Sequence, residues 1–358
     1  MINFTAHTTP ETSNNPRDVL VGSWLLVMCA MVLVMVVIGG VTRLTHSGLS
    51  MVDWRPITGW MPPLNPAEWK EAFALYRETP EFKKVNIGIN MEGFKSIFWL
   101  EYIHRLWGRV IGVALLVPFF YFLFRGWLNR YLFSKIMFIF VLGVAQGLLG
   151  WFMVKSGLVE RPDVSQYRLT GHLGLAVIIY GYMFWTALGL LPRQAHMKCP
   201  ASTGLRRLTA ATLAWLFLTI LAGGLVAGLD AGFTYNTFPL MDGRLVPDGL
   251  FRITPVYLNF FENVTTVQFE HRITAALSIV LMALLWWQAR KEIASIRARL
   301  PFNVLGALML LQFGVGIATL ILVVPVPVAA AHQAGAFLLV TAGLWALDSI
   351  RIVKMPAS

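Results

Sequence analysis

Four histidines, His104, His172, His271 and His332, lie inside long apolar stretches of the chain. An ionisable side chain is costly in such surroundings and marks a functional position by default. Imidazole in that setting can ligate a metal, relay a proton or hydrogen-bond a neighbouring helix. Zinc would ordinarily take a third or fourth protein ligand, and no Cys or carboxylate cluster with metal spacing accompanies these histidines. Two imidazoles from parallel helices can instead clamp a planar metal complex, and iron porphyrin suits them well. Pairing by order predicts two sites, His104 with His172 and His271 with His332, all four residues being heme-iron ligands. His7, His46 and His196 fall in polar segments and read as solvated residues.

Charged residues flank the histidines unequally. Arg105 and Arg272 directly follow His104 and His271, with Arg109 one turn further on. A guanidinium fork suits heme propionates, and interfacial snorkelling is the alternative. Glu101 precedes His104 by three residues and so shares its helix face, whereas the corresponding position in the second half is the neutral Gln268. A buried carboxylate beside a redox-active ring can take up protons or stabilise a developing cation, which makes Glu101 the candidate catalytic residue. An i,i+4 ion pair with Arg105 is the competing reading. Glu270 neighbours His271 but points about 100° away around the helix.

The elements that must hold these residues are set by the solvent. Hydrophobic residues make up 57% of the 358 and charged ones 13%, with a mean hydropathy of +0.65. Such a chain is built to face lipid. Eight stretches reach the roughly 20 residues that cross a bilayer as a helix: Leu20 to Gly40, Phe98 to Phe124, Phe133 to Trp151, Leu169 to Leu191, Leu208 to Ala227, Val267 to Ala289, Phe302 to Val324 and Ala329 to Ile350. Net charge is +11, yet the basic residues sort by topology and imply no nucleic acid. Connections with Arg125, Arg130, Lys135, then Arg193, Lys198, Arg206, Arg207, then Arg290, Lys291, Arg297, Arg299, carry almost no acid. The positive-inside rule keeps these loops and both termini cytoplasmic. Spans two, four, six and eight then enter from outside, each with its histidine within about two turns of its start. The tail is not an Arg-rich, acid-poor transit peptide, which favours a bacterial cytoplasmic (inner) membrane. Cys29 and Cys199 fall too far apart on this topology for a disulfide.

The chain also repeats. Gly39, Gly40, Gly48 and Gly59 recur at one offset as Gly223, Gly224, Gly232 and Gly243. Gln146 with Gly150 matches Gln312 with Gly316, and the segment around His104 matches that around His271. The glycines serve either close helix packing or close approach of a ligand. The expected fold is an all-α integral membrane protein of eight transmembrane helices, arranged as two tandem pseudo-symmetric four-helix bundles. Its divisions are a cytoplasmic tail over 1–18, a first bundle over 19–192 with a long outer loop at about 42–97, a cytoplasmic linker over 193–207, a second bundle over 208–350 and a tail over 351–358.

Longer strings carry a family resemblance. Gly39-Gly40-Val41-Thr42-Arg43-Leu44-Thr45, then Ser47 through Pro56, and Glu101-Tyr102-Ile103-His104-Arg105 resemble heme A synthases. So do Ala227 through Gly232, Tyr235 through Met241, and Asn263 through Arg272. The outer loops lack the cysteine pairs of one branch, and the chain is similar to the alphaproteobacterial and mitochondrial branch. The resemblance implies oxidation of the C8 methyl of heme O to a formyl group, through hydroxylated intermediates, giving heme A for heme-copper terminal oxidases. It implies that His104 and His172 hold the substrate heme, that Glu101 assists, and that His271 and His332 hold a permanent heme b that relays electrons; Arg105 and Arg272 are the candidate propionate partners of the two sites. Heme O synthase (protoheme farnesyltransferase) is the implied upstream partner, with an electron donor in the membrane. A diheme b-type electron-transfer cytochrome and a parallel-repeat transporter are the competing classes; extracted pigment distinguishes the first, and a missing Soret band the second.

Overall fold

The computed structural model describes residues 15–53, 59–159, 164–192 and 201–350. Expectations placed on His7, His196, Cys199, the tails and most of the linker lie outside these residues. Eight described helices are long and apolar enough to cross a bilayer: α1 (Pro16–Leu44), α4 (Met91–Phe124), α5 (Arg130–Val159), α6 (Gln166–Leu190), α7 (Thr203–Gly228), α9 (Val264–Glu292), α10 (Ile296–Ile321) and α11 (Val326–Ser349). In a bilayer every backbone amide must be satisfied internally, which leaves helices as the economical solution for such stretches. Polar residues start them. Asn15, Asn90, Ser202, Asn263 and Ser295 each accept a hydrogen bond from a first-turn amide, satisfying donors that a helix leaves over.

Helices α1, α4, α5 and α6 come from one half of the sequence and α7, α9, α10 and α11 from the other. Within the first, α1 packs on α4 and α6, and α5 on α6. Within the second, α7 packs on α9 and α11, and α10 on α9 and α11. The halves meet where α6 packs on α7 and α11, and α1 on α11. The repeat reaches the backbone: His46 and Asp230, at the common offset, both take left-handed conformations, with φ of 50° and 52°.

The connection between α1 and α4 departs from the loop expected there. It contains α2 (Pro66–Arg77) and α3 (Pro80–Lys84), and α4 begins about two turns before the apolar span does. The start signals are in the chain: Asn65 caps α2, with Pro66 behind it, and Glu68 accepts from the Leu64 amide at 2.7 Å. Apolar residues four apart on the α4 extension, Phe94, Phe98 and Tyr102, are buried against Tyr76, Trp69 and Phe73. His104 consequently sits more than three turns inside its helix, while His172, His271 and His332 lie within two turns of the start of theirs. Phe94 is fully buried. Phe94→Ala is expected to destabilise this cap by about 3–5 kcal/mol, read as faster proteolysis within residues 64–90, with little change in the transmembrane core.

In the second half, the corresponding connection is irregular and short-turned, leading through α8 (Asn259–Glu262) into α9. Between α10 and α11 the chain turns in four residues, and Val323 and Val324 both have positive φ. A β-branched residue there costs about 1–2 kcal/mol. The turn brings the end of α10 back against the start of α11.

Candidate heme sites

Each of the four histidines is seated on a glycine of an adjacent helix. A Cβ built on Gly39 of α1 would lie 3.5 Å from His104 Cε1, and one on Gly150 of α5 would lie 3.1 Å from His172 Cε1. In the second half, a Cβ on Gly223 of α7 would stand 3.0 Å from His271 Cε1, and one on Gly316 of α10 2.8 Å from His332 Cε1. Contacts below about 3.4 Å are closer than a real methyl readily tolerates. Gly150, Gly223 and Gly316 therefore leave room for imidazole that a methyl would take, while Gly39 stands at ordinary contact distance. Their neighbours face the other half: Gly40 lies against Gln333 of α11, and Gly224 lies against Thr170 of α6.

His271 and His332 stand on helices that are diagonal in their bundle. Their ring centroids are 6.4 Å apart with planes at 88°. Two imidazoles sharing one metal along a common axis need about 6 Å, from two metal–nitrogen bonds of about 2 Å and about 1 Å from each nitrogen to its ring centre. The pair thus fits an iron between its rings. The Nδ1 atoms of His172, His271 and His332 are buried without hydrogen-bond partners, a costly state for a polar atom unless a ligand completes the site. Nearer the middle of each bundle, Gln146 Nε2 donates to the His172 carbonyl at 3.1 Å and Gln312 Nε2 to the His332 carbonyl at 2.8 Å. These glutamines fix the height of the histidine-bearing helices. The matched offset marks them as repeats, but only the bond identifies what they hold.

The arginines do matched work. Arg105 donates to the carbonyls of Met51 and Asp53 at 2.9 and 3.1 Å, and Arg272 to those of Tyr235 and Thr237 at 2.7 and 2.8 Å. Met51 and Tyr235, like Asp53 and Thr237, are related by the same offset as the glycines. Each guanidinium ties the loop that follows the preceding span down beside its histidine, a role that residue order alone leaves between propionate pairing and snorkelling. Arg43 at the end of α1 crosses to the other half, bonding the Ala227 carbonyl and Asp230, both at 3.0 Å.

Glu101 is almost completely buried. One carboxylate oxygen accepts from Ser50 Oγ at 2.7 Å and the Met51 amide at 2.8 Å, while the other pairs with Arg105. The i,i+4 pair is therefore present, and two loop donors complete it. Those bonds offset the desolvation of a buried charge. Gln268, in the matching place, gives one hydrogen bond from Nε2 to the Tyr235 carbonyl at 3.1 Å. The first site has a fixed, neutralised anion beside its histidine and the second a neutral amide. Ser50 and Met51 escape a reading of the sequence because nothing in their type announces a partner fifty residues away. Cys29 is a free, buried thiol, and His46 is exposed.

The model of a family described as "Cytochrome oxidase assembly protein" (COX15-CtaA) matches residues 22–344. Similar chains include a "Heme A synthase" of Nitrosospira multiformis, 52% identical over 92% of this chain and 92% of the relative. A "Heme A synthase" of Paramagnetospirillum magneticum is 49% identical over 93% and 94%. "Heme A synthase COX15" of Bos taurus is 44% identical over 96% and 85%.

Proposed function

The chain belongs to the COX15-CtaA family of cytochrome oxidase assembly proteins, and from that premise we infer how its two histidine pairs divide the work. It is a multi-pass membrane enzyme that makes heme A from heme O for oxidase assembly. We assign it as an oxidoreductase that converts the C8 methyl of heme O to a formyl group through hydroxylated intermediates. The first bundle, residues 19–192, holds the substrate between His104 and His172, and the second, residues 208–350, holds heme b between His271 and His332. The observation that carries this division is the unequal pairing of like sites: matched histidines on matched glycines, with the carboxylate of Glu101 beside one pair and Gln268 beside the other.

The spacing and orphaned nitrogens of His271 and His332 fit an iron porphyrin. When bound, heme b would supply reversible one-electron chemistry to the adjoining site. Around it the chain's own groups bind and orient: Gly223 and Gly316 admit the rings, Gln312 sets the height of α11, and Arg272 holds the outer loop. In the first site, oxidation of a methyl on a conjugated ring builds positive charge at the ring edge. Glu101, already held by three donors, is preorganised to oppose that charge without moving. Arg105 pairs with the carboxylate and fastens the loop over the same end of the bundle.

The positive-inside rule supports an orientation with both termini in the cytoplasm and the sites toward the outer leaflet of a bacterial cytoplasmic membrane. Heme O synthase is the upstream partner, with the electron donor drawn from the membrane.

Expression with heme O synthase should yield extracted pigment containing the formyl porphyrin. Absence of that product, with both hemes present, would indicate an electron-transfer cytochrome instead. Glu101→Gln replaces one acceptor oxygen by a donor facing Arg105 or Ser50. Product is expected to fall at least about 10²-fold while hemochrome content is retained. Unchanged turnover would remove Glu101 from the chemistry, and loss of heme along with product would make it a positioning residue.

A further inference from the structure

The halves differ most along one seam. In the first, α4 and α5 are joined near their connecting loop by Phe119, whose ring lies 6.1 Å from Phe133 and 5.0 Å from Phe140. Two turns further toward the histidines, the same helix faces carry Gly112 on α4 and Gly147 on α5, because seven residues return a side chain to its face. A Cβ added at Gly112, Gly147 or Gly143 would meet nothing within 4 Å. The backbones of α4 and α5 approach less closely than those of α9 and α10, which pack along this edge.

At the matched positions of the second half, Ile279 replaces Gly112, Met309 replaces Gly143 and Phe313 replaces Gly147. Met309 is buried, and Phe313 stands 6.1 Å from Phe238. One bundle fills its seam with side chains, and its repeat leaves the space open.

Gln146 lies between Gly143 and Gly147, and its Nε2 must be the group facing the His172 carbonyl, since a carbonyl can only accept. Its Oε1 is left buried without a partner. Among the described residues, Gln312 Oε1 is not one of the buried atoms left without a partner. A buried, unpaired acceptor costs about 1–3 kcal/mol until a donor arrives.

Resting on the heme A synthase reading, we propose that the α4–α5 seam is the subsite for the hydroxyethylfarnesyl arm of heme O, the hydroxyl donating to Gln146 Oε1 and the isoprenoid chain lying over Gly112, Gly143 and Gly147. Heme O differs from protoheme in carrying this arm, a hydroxyl followed by a long apolar chain, in place of a vinyl group. Helix α5 offers the complement: an orphaned acceptor on Gln146, with the exposed, open positions Gly143 and Gly147 on either side of it in the chain. A site built to bond a substrate hydroxyl discriminates against the analogue without it, because the protein group is then left unpaired. The filled seam of the second bundle has no room for such a chain, which matches a site for a resident heme without one.

The test is to fill the seam with the residues the other half uses. Full-length protein from cells lacking heme O synthase is titrated with heme O and with protoheme, following the Soret band. Gly147→Phe and Gly112→Ile are each expected to weaken heme O at least about tenfold with protoheme binding unchanged, and Gln146→Met to narrow the preference severalfold. An unchanged ratio of the two affinities, or an equal loss of both, overturns the inference. If neither filled variant folds, the space is not there and the inference falls with it. Conversion of heme O to the formyl product by the wild type keeps these outcomes separate from failure of the activity itself.

Discussion

Protein in which His271 and His332 are both alanine is expected to carry one heme fewer per chain and to lose the low-spin absorption of that heme. The reasoning is geometric. The two rings stand 6.4 Å apart, and their Nδ1 atoms are buried and unpaired, which is why this pair is proposed as the iron ligands of the second bundle. A single substitution would leave one imidazole and a weakly held, high-spin heme, whereas the double substitution leaves none. The converse double variant, His104→Ala with His172→Ala, should keep the resident heme and lose heme O binding and product. A pyridine hemochrome assay counts the hemes and identifies their type together. Porphyrin content and low-spin absorption untouched by the His271/His332 double variant would overturn the two-site reading.

The second large effect is expected from one methyl group. Gly316→Ala places a Cβ 2.8 Å from His332 Cε1 and 3.4 Å from its Nδ1. The imidazole must rotate or α11 must shift, and the Gln312 bond to the His332 carbonyl resists the shift. Groups that orient a ligating histidine are worth about 10–100-fold in metal affinity, and a loss of that size is expected for heme b. Gly314→Ala on the same helix meets nothing within 4 Å and is the matched control. The four seats should also grade by clearance, Gly39→Ala being the mildest because its contact to His104 is 3.5 Å. Equal heme retention in the Gly316 and Gly314 variants would show that the glycine seats do not position the ligands.

Much of this architecture is legible in the residues. Spans show in composition because a bilayer demands length, apolarity and internal hydrogen bonding, all local properties. The histidines stand out because ionisable groups are rare in such stretches. Helices α2 and α3 of the outer cap are harder to see, since they lie where the chain leaves the membrane and ordinary amphipathic rules resume. Asn65, Pro66 and Glu68 form a start signal there, masked by the polar loop composition around them.

The residues by themselves determined the class of the protein, its repeat and which imidazoles could ligate. Tertiary structure alone decided that Gly39 faces a histidine while Gly40 faces the other bundle, that Ser50 and Met51 hold Glu101, and that α4 and α5 part where α9 and α10 close. The reason is that contacts between helices depend on how each is rotated about its axis and splayed from its neighbour. Those angles are set by side-chain volumes summed over a whole bundle, and no single stretch of sequence contains that sum.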